Sequence, residues 1–437
     1  MASVLFMEDP HPQLRVLIVA YYQHDDPLVR SILFEHFKGM LGSGDMRLHV
    51  LTFENESPGE KEKMKFREEW GKEGVEWHRL VSGPHILKGG RKLFDLWKGI
   101  RKGRRIAAQE GADLVYSEGF PSAIIGYHIS KRENLPHAVH TYEPHAAYMV
   151  EAGVWSRKSW EYRIMRYYER KVGESSDLLF TGSERMRQAL KRSSVPGTVR
   201  RIPSSVDLSF FHFTQKGREE VRGRSGIPSR ALVFTYMGKL GGMYYDVELF
   251  EFFKVARSVY ADLDLYFMLL TPEGRERVHS YAKRAGVPLD RILVISVDRE
   301  EVPSYLSAAD FALSGMRQSP SKVYASPIKH GEYWACGLPI FIFRGVSEDD
   351  ERVEEEASGV VIERPEKKAY EQALQKADEL LRLDKEERMT RCRRSAEKER
   401  SLKQAQHAIK ESLWSLKEGK GKASSGDQEA RNSSERS

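Results

Sequence analysis

The chain has 437 residues, 40% of them apolar and 31% charged, with a formal charge of +6. That length is past the size at which one core stops growing, so two domains are expected, and the charge excess is too small to define a polyanion-binding protein. Two cysteines, Cys336 and Cys392, exclude a disulfide framework or a cysteine-built zinc site and fit a reducing, cytoplasmic compartment. The N-terminus, MASVLFMEDPHPQLR, lacks the pattern of a signal peptide, and no apolar run is long enough to span a bilayer.

In chain order, short apolar runs alternate with helical stretches. The first set is RVLIVAYY (15–22), LHVLTF (48–53), VEWHRLV (75–81), DLVYS (113–117), HAVHTY (137–142) and DLLFTGS (177–183). Helical segments such as 27–40 and 91–109 lie between them. A second set follows: ALVFTYMG (231–238), LDLYFMLL (263–270), ILVISV (292–297), DFALSGM (310–316), LPIFIF (338–343) and SGVVIE (358–363). Apolar strands alternating with helices make parallel sheets covered on both faces, so the fold class is α/β with two doubly wound, Rossmann-like domains. IPSSVDLSFFHFTQKGR (202–218) joins them, which places an N-terminal domain at 1–206 and a C-terminal domain at 207–400. Asp384 and Ser401 suit the N-caps of two late helices. The last of these, 401–417, carries Ile409, Leu413, Trp414 and Leu416. The tail, 418–437, is Gly, Ser and charge, and is expected to be disordered.

Two such sheets facing each other bind ligands at their strand carboxyl ends. No GxGxxG follows the first strand, and no phosphate loop of the GxxxxGK[ST] type occurs, which weakens the dehydrogenase and P-loop readings. MGKLGGMYYD (237–246) still resembles an anion loop: Gly238 admits close backbone approach and Lys239 adds charge. In SPSKVYASPIKHGEYWACGLPIFIF (319–343), Pro327 starts a helix. Lys329 sits in its first turn, where a cation makes sense if an anion shares the site. Glu332 follows on the same face. An exposed Lys–Glu pair on an ordinary helix is the plainer alternative.

The string S-P-x-K-x-x-E-Y-x-A-x-G-L-P (326–339) resembles the donor motif of GT-B glycosyltransferases, in particular the retaining family four. DLLFTGSERMRQAL (177–190), IPSSVDLSFF (202–211), YMGKLGG (236–242) and the 402–417 helix resemble further landmarks, so the likeness spans nearly the whole chain except the tail. It implies a metal-independent, retaining transfer from a UDP- or GDP-sugar, with no cofactor, to a glycan, a lipid-linked acceptor or another acceptor. The last helix would cross back to the first domain. Glu332 would hold the donor ribose, and Lys329 and Lys239 the diphosphate. Ser326 would bond a phosphate oxygen, and backbone at 297–301 the base. Tyr324 stands where the family often has a second Glu near the sugar.

On the acceptor side, VHTYEPHAAYMVEAG (139–153) ends a strand with His140, Glu143 and His145, a set suited to acid/base work or sugar-hydroxyl binding. A buried, hydrogen-bonded His140 is equally expected. The spacing lacks a zinc signature, and no metal is assigned. His24, Asp25 and Asp26 after the first strand, and Tyr116, Ser117 and Glu118 after the fourth, are weaker candidates. Asp262 and Asp264 spell D-x-D at a strand start, away from the cleft. Two basic, aromatic helical stretches, 88–105 and 155–171, suit either packing on the sheet or contact with an anionic membrane surface. No nucleic-acid motif occurs. Readings from other classes are a nucleotide-sugar epimerase of the same fold and a non-catalytic nucleotide-sugar-binding protein.

Overall fold

The structure, a computed structural model, describes residues 13–26, 29–55, 59, 64, 74–82 and 88–434. The extreme N-terminus, read above as lacking a signal peptide, and Pro27 lie outside these. A first sheet of seven strands comprises β1 (Leu14–Ala20), β2 (Met46–Glu54), β3 (Val75–Val81), β4 (Leu114–Glu118), β5 (His137–Thr141), β6 (Leu178–Thr181) and β7 (Thr198–Arg201). A second, of six, comprises β8 (Leu232–Met237), β9 (Leu265–Leu270), β10 (Ile292–Ile295), β11 (Phe311–Leu313), β12 (Ile340–Phe343) and β13 (Gly359–Ile362). The orders are β3-β2-β1-β4-β5-β6-β7 and β10-β9-β8-β11-β12-β13. All named pairings are parallel. This is the pair of doubly wound sheets expected. Strand β7 is not among the strands expected: TVRR is short and holds one apolar residue, Val199, as an edge strand can.

Each sheet reverses its strand order once, between β1 and β4 and between β8 and β11. At such switch points the two following loops diverge and leave a crevice. The inner strands, such as β1, β4, β5, β9 and β12, are buried on both faces, which is why they read as largely apolar runs. Phe234, Phe252, Phe311 and Phe341 pack ring against ring in the second core. The first core closes with help from the far end of the chain. Ala405, Ile409 and Leu413 are buried in the cluster that contains Val16, Ile18 and Tyr116.

Those three residues lie on the helix Leu402–Ser434. Gln404 N–H donates to Ser401 Oγ (3.4 Å) at its start, and Asp384 accepts from Glu386 N–H at the helix before. Lys410 pairs with Asp45 at 2.8 Å and Lys417 with Asp113 at 3.1 Å, fastening the helix to the first domain. It continues to Ser434, where composition led us to expect a disordered tail. No proline interrupts that stretch, and its Ala, Glu, Gln and Lys residues are tolerated in a helix.

Contacts between the domains are numerous and polar. Glu348, from the second domain, accepts the N–H groups of Glu184 (2.6 Å) and Arg185 (3.2 Å) at the start of the helix Glu184–Arg192. It also pairs with Arg201 at 2.7 Å. Arg185 donates to the Ser347 carbonyl and pairs with Asp350 and Glu351. Ser321 donates through its N–H and hydroxyl to Glu151.

Candidate functional site

The two crevices face each other and enclose a cleft of about 470 Å³. Tyr22 follows β1, and Gly119 and Phe120 follow β4. Thr141, Tyr142, Glu143, His145 and Tyr148 continue the wall beyond β5. The opposite wall is Tyr236 and Tyr244 after β8, Ser314–Met316 after β11, and Lys322 and the 325–330 segment. Hence Glu143, His145, Ser326 and Lys329, four of the residues singled out from sequence, share one cavity.

Lys329 opens the helix Ile328–Ala335 in its first turn. Burial pulls its pKa down to about 8, opposed by Glu332 and reinforced by Lys239. Among the described residues it makes no ion pair. Its ammonium lies over the Tyr244 ring at 4.8 Å and the Tyr236 ring at 5.9 Å. Gly238 makes room for it. A Cβ there would stand 2.1 Å from Lys329 Nζ, and the φ of +137° is one that only glycine adopts readily. A half-buried cation at a helix N-terminus beside glycine backbone is an anion site in want of its anion. Lys239 itself is exposed and outside the cleft lining, and its backbone carbonyl takes the Tyr236 hydroxyl.

Glu332 is buried one turn further along, and burial raises its pKa. Arg299 Nη1 lies 3.8 Å from it. The 297–301 segment expected near a base is therefore beside the carboxylate expected at a ribose, both just outside the cleft lining. Ser326 lines the cleft, but its hydroxyl is engaged: it accepts from Ser204 N–H (3.1 Å) and from Arg400. Tyr324 departs from the sequence reading. Its side chain lines a neighbouring cavity with Arg166 and Arg170, because a short 3-10 turn at Lys322–Tyr324 turns Lys322 toward the cleft instead.

Lys322 is the residue the sequence reading passed over. It is 6% exposed and bonds Glu143 at 2.9 Å, with its ammonium 4.1 Å from the Tyr148 ring. The available signal was its position in the same polar loop as the motif. Burial raises the Glu143 pKa against the pull of Lys322. His145 is held neutral, its pKa pushed down to about 4 by burial and by Lys92. This wall presents a neutral imidazole and the hydrogen-bonded Glu143–Lys322 pair, a set that can orient hydroxyl groups and polarise one of them.

His140 is corrected. It is fully buried in β5, Nδ1 3.0 Å from the Tyr116 hydroxyl and Nε2 3.3 Å from the Ile202 carbonyl, and does not line the cleft. Its direction follows from strand alternation, which turns it into the sheet face covered by His36 and Phe180. Glu118, a weaker candidate, lies in the same buried network and accepts from Tyr116 (3.3 Å) and Tyr142. Burial raises its pKa to about 8. His24 is tied to Glu54 at 3.1 Å and does not line the cleft. Asp264 pairs with Arg291 at the start of β9, as a coincidental D-x-D should. Under the wall that carries Lys329, His330 bridges Asp349 (2.7 Å) and Ser314 (2.9 Å), and Asp349 also takes Arg400, a buried chain the sequence did not disclose.

Residues 39–204 match a family profile described as Glycosyl transferase 4-like domain. No curated protein sequence matches the chain. Among solved structures, the chain resembles a glycosyltransferase from Rickettsia africae (TM-score 0.70, 13% identity, covering 92% of this chain and 98% of that one). It resembles sucrose-phosphate synthase from Thermosynechococcus elongatus (0.68, 17%, 92% and 99%). It also resembles Anabaena HepE solved with UDP-glucose (0.67, 13%, 92% and 100%). At these identities the likeness establishes the fold, which is GT-B.

Proposed function

From a chain with the GT-B fold, whose first domain carries a glycosyl transferase 4-like sequence, we propose a glycosyltransferase that takes its sugar from a nucleotide-sugar donor in this cleft. The observation that carries the reading is Lys329: a half-buried cation that makes no ion pair among the described residues, at a helix start, against glycine backbone. Such a site binds a diphosphate and stabilises the charge that grows on it as the glycosidic bond breaks. Glu332, backed by Arg299, would hold the ribose of a UDP- or GDP-sugar. The neighbour solved with UDP-glucose supports the reading.

The acceptor enters against Tyr22, Tyr142, Glu143 and His145. His145 and the Glu143–Lys322 pair hold its hydroxyl; the transfer retains configuration without a protein nucleophile, and Lys329 and the helix N-terminus serve the leaving group without a metal ion. A glycan or lipid-linked acceptor suits the exposed apolar side chains of the first domain. Leu93, Phe94 and Trp97 on one helix, and Trp160, Ile164 and Tyr167 on another, are exposed among basic residues. A membrane surface carrying anionic lipid would cover them. No helix of the described residues is long and apolar enough to cross a membrane, so the contact would be peripheral, at the cytoplasmic face.

A panel of nucleotide sugars tests the reading by thermal shift. One donor should stabilise the protein. Lys329→Ala should weaken its binding by about 10–100-fold, the value of a charge-assisted phosphate contact. Donor affinity should also fall as pH rises through about 8, where free Lys329 loses its proton. A Lys329→Ala variant with unchanged donor affinity would remove the assignment.

A further inference from the structure

On the far side of the first domain, β2 and the edge strand β3 pair in parallel with His49 opposite Glu76. Because strand side chains alternate, Glu76 and His78 share a face of β3, and His49 emerges on that same face of β2. Three potential ligand atoms converge there. His49 Nδ1 is 3.3 Å from His78 Nε2 and 3.5 Å from a Glu76 oxygen, and His78 Nε2 is 3.8 Å from the other. Among the described residues it is the one group of three such side chains whose ligand atoms all lie within 4.8 Å.

We propose that His49, Glu76 and His78 form a divalent transition-metal site, of zinc type, that clips the edge strand β3 to β2. The spacing is the argument. Ligands about 2.0–2.1 Å from a tetrahedral ion stand about 3.3–3.4 Å apart. The imidazole–imidazole edge has that length, and the carboxylate edges exceed it by amounts a small rotation of Glu76 closes. Two imidazoles and a carboxylate form a nitrogen and oxygen set that suits zinc and its neighbours and is too nitrogen-rich for magnesium or calcium. His49 is fully buried, so one ligand is held rigidly, while Glu76 is exposed enough to admit the ion from solvent. Glu110 lies close enough to act electrostatically on both histidines, and lines a cavity together with His78. A water takes the fourth position. The ion replaces the proton that otherwise bridges the two imidazoles.

The site is far in the fold from the Lys329 cleft, on the opposite edge of the sheet from the interdomain contacts, so its role is in strand anchoring and its test is independent of donor binding. Full-length protein stripped with EDTA is titrated with zinc chloride by calorimetry and, in parallel, with cobalt chloride by visible absorption. The expected result is about one equivalent bound at micromolar affinity or tighter, a cobalt spectrum of four-coordinate type, and a raised melting temperature. His78→Ala should weaken binding at least about tenfold while leaving the metal-free melt unchanged. Glu76→Gln, at a partly exposed position, does the same if His78→Ala disturbs the strand. No binding below about 100 μM, or full binding retained in both variants, overturns the proposal.

Discussion

At the scale of single residues, the cleft and the buried network beside it contain groups whose ordinary charge is altered by burial, and they carry separable consequences. Glu118 is the clearest. Burial lifts it to about 8 even though two tyrosine hydroxyls pull the other way. The unfolded chain ionises this carboxyl near its usual value of 4.5, whereas the folded protein keeps the proton until about 8. Stability from this group is therefore full below the unfolded value and is lost as pH rises across that window. Glu118→Gln, which keeps the shape and stays neutral, should abolish that slope: urea midpoints at about pH 5 and about pH 8 should converge in the variant and differ in the parent. Identical midpoints in the parent would show Glu118 to be ionised in the fold. Of the residues legible from sequence, Lys329 and Gly238 each stand in a local motif, 326–339 and 236–242, and the fold brings the two motifs together. Lys322 and Arg400 were not legible, since their partners, Glu143 and Asp349, are 179 and 51 positions away.

At the scale of elements, parallel pairing followed from alternating apolar and helical segments, which is why twelve strands were foreseeable and β7, with one apolar residue in four, was not. The amphipathic helices were equally legible as patterns, but a pattern does not say which face is covered. The structure shows a split. On the helix Lys88–Gln109, Leu96 and Ile100 pack on the sheet, while Leu93, Phe94 and Trp97 remain outside with Lys98 and Arg101 over their rings. Those three exposed side chains are the ones a bilayer surface would take up. Replacing them together, Leu93→Ser, Phe94→Ser and Trp97→Ser, should reduce co-sedimentation with vesicles rich in anionic lipid by about tenfold, without lowering donor affinity. Undiminished sedimentation would assign the patch to something other than lipid.

At the scale of the whole molecule, the chain's last crossing is pinned by Arg400. Its side chain is 1% exposed, it meets Asp349 and Ser326, and its own segment pairs with the linker through Val206 and Ser401. Removing one member of such a buried pair leaves a charge without its counterpart, so Arg400→Ala should cost about 3–5 kcal/mol in chemical unfolding. A loss under about 1 kcal/mol would show that Asp349 finds another partner or takes up a proton.

Glu348 has a different consequence. A carboxylate of one domain completes the first turn of a helix in the other, so the two bodies share a piece of secondary structure. Separating them would uncap two amide hydrogens at a helix start and break the Glu348–Arg201 pair at the same moment. The interface is thus latched partly by main-chain hydrogen bonding, and a ligand that needed the cleft to widen would work against that catch.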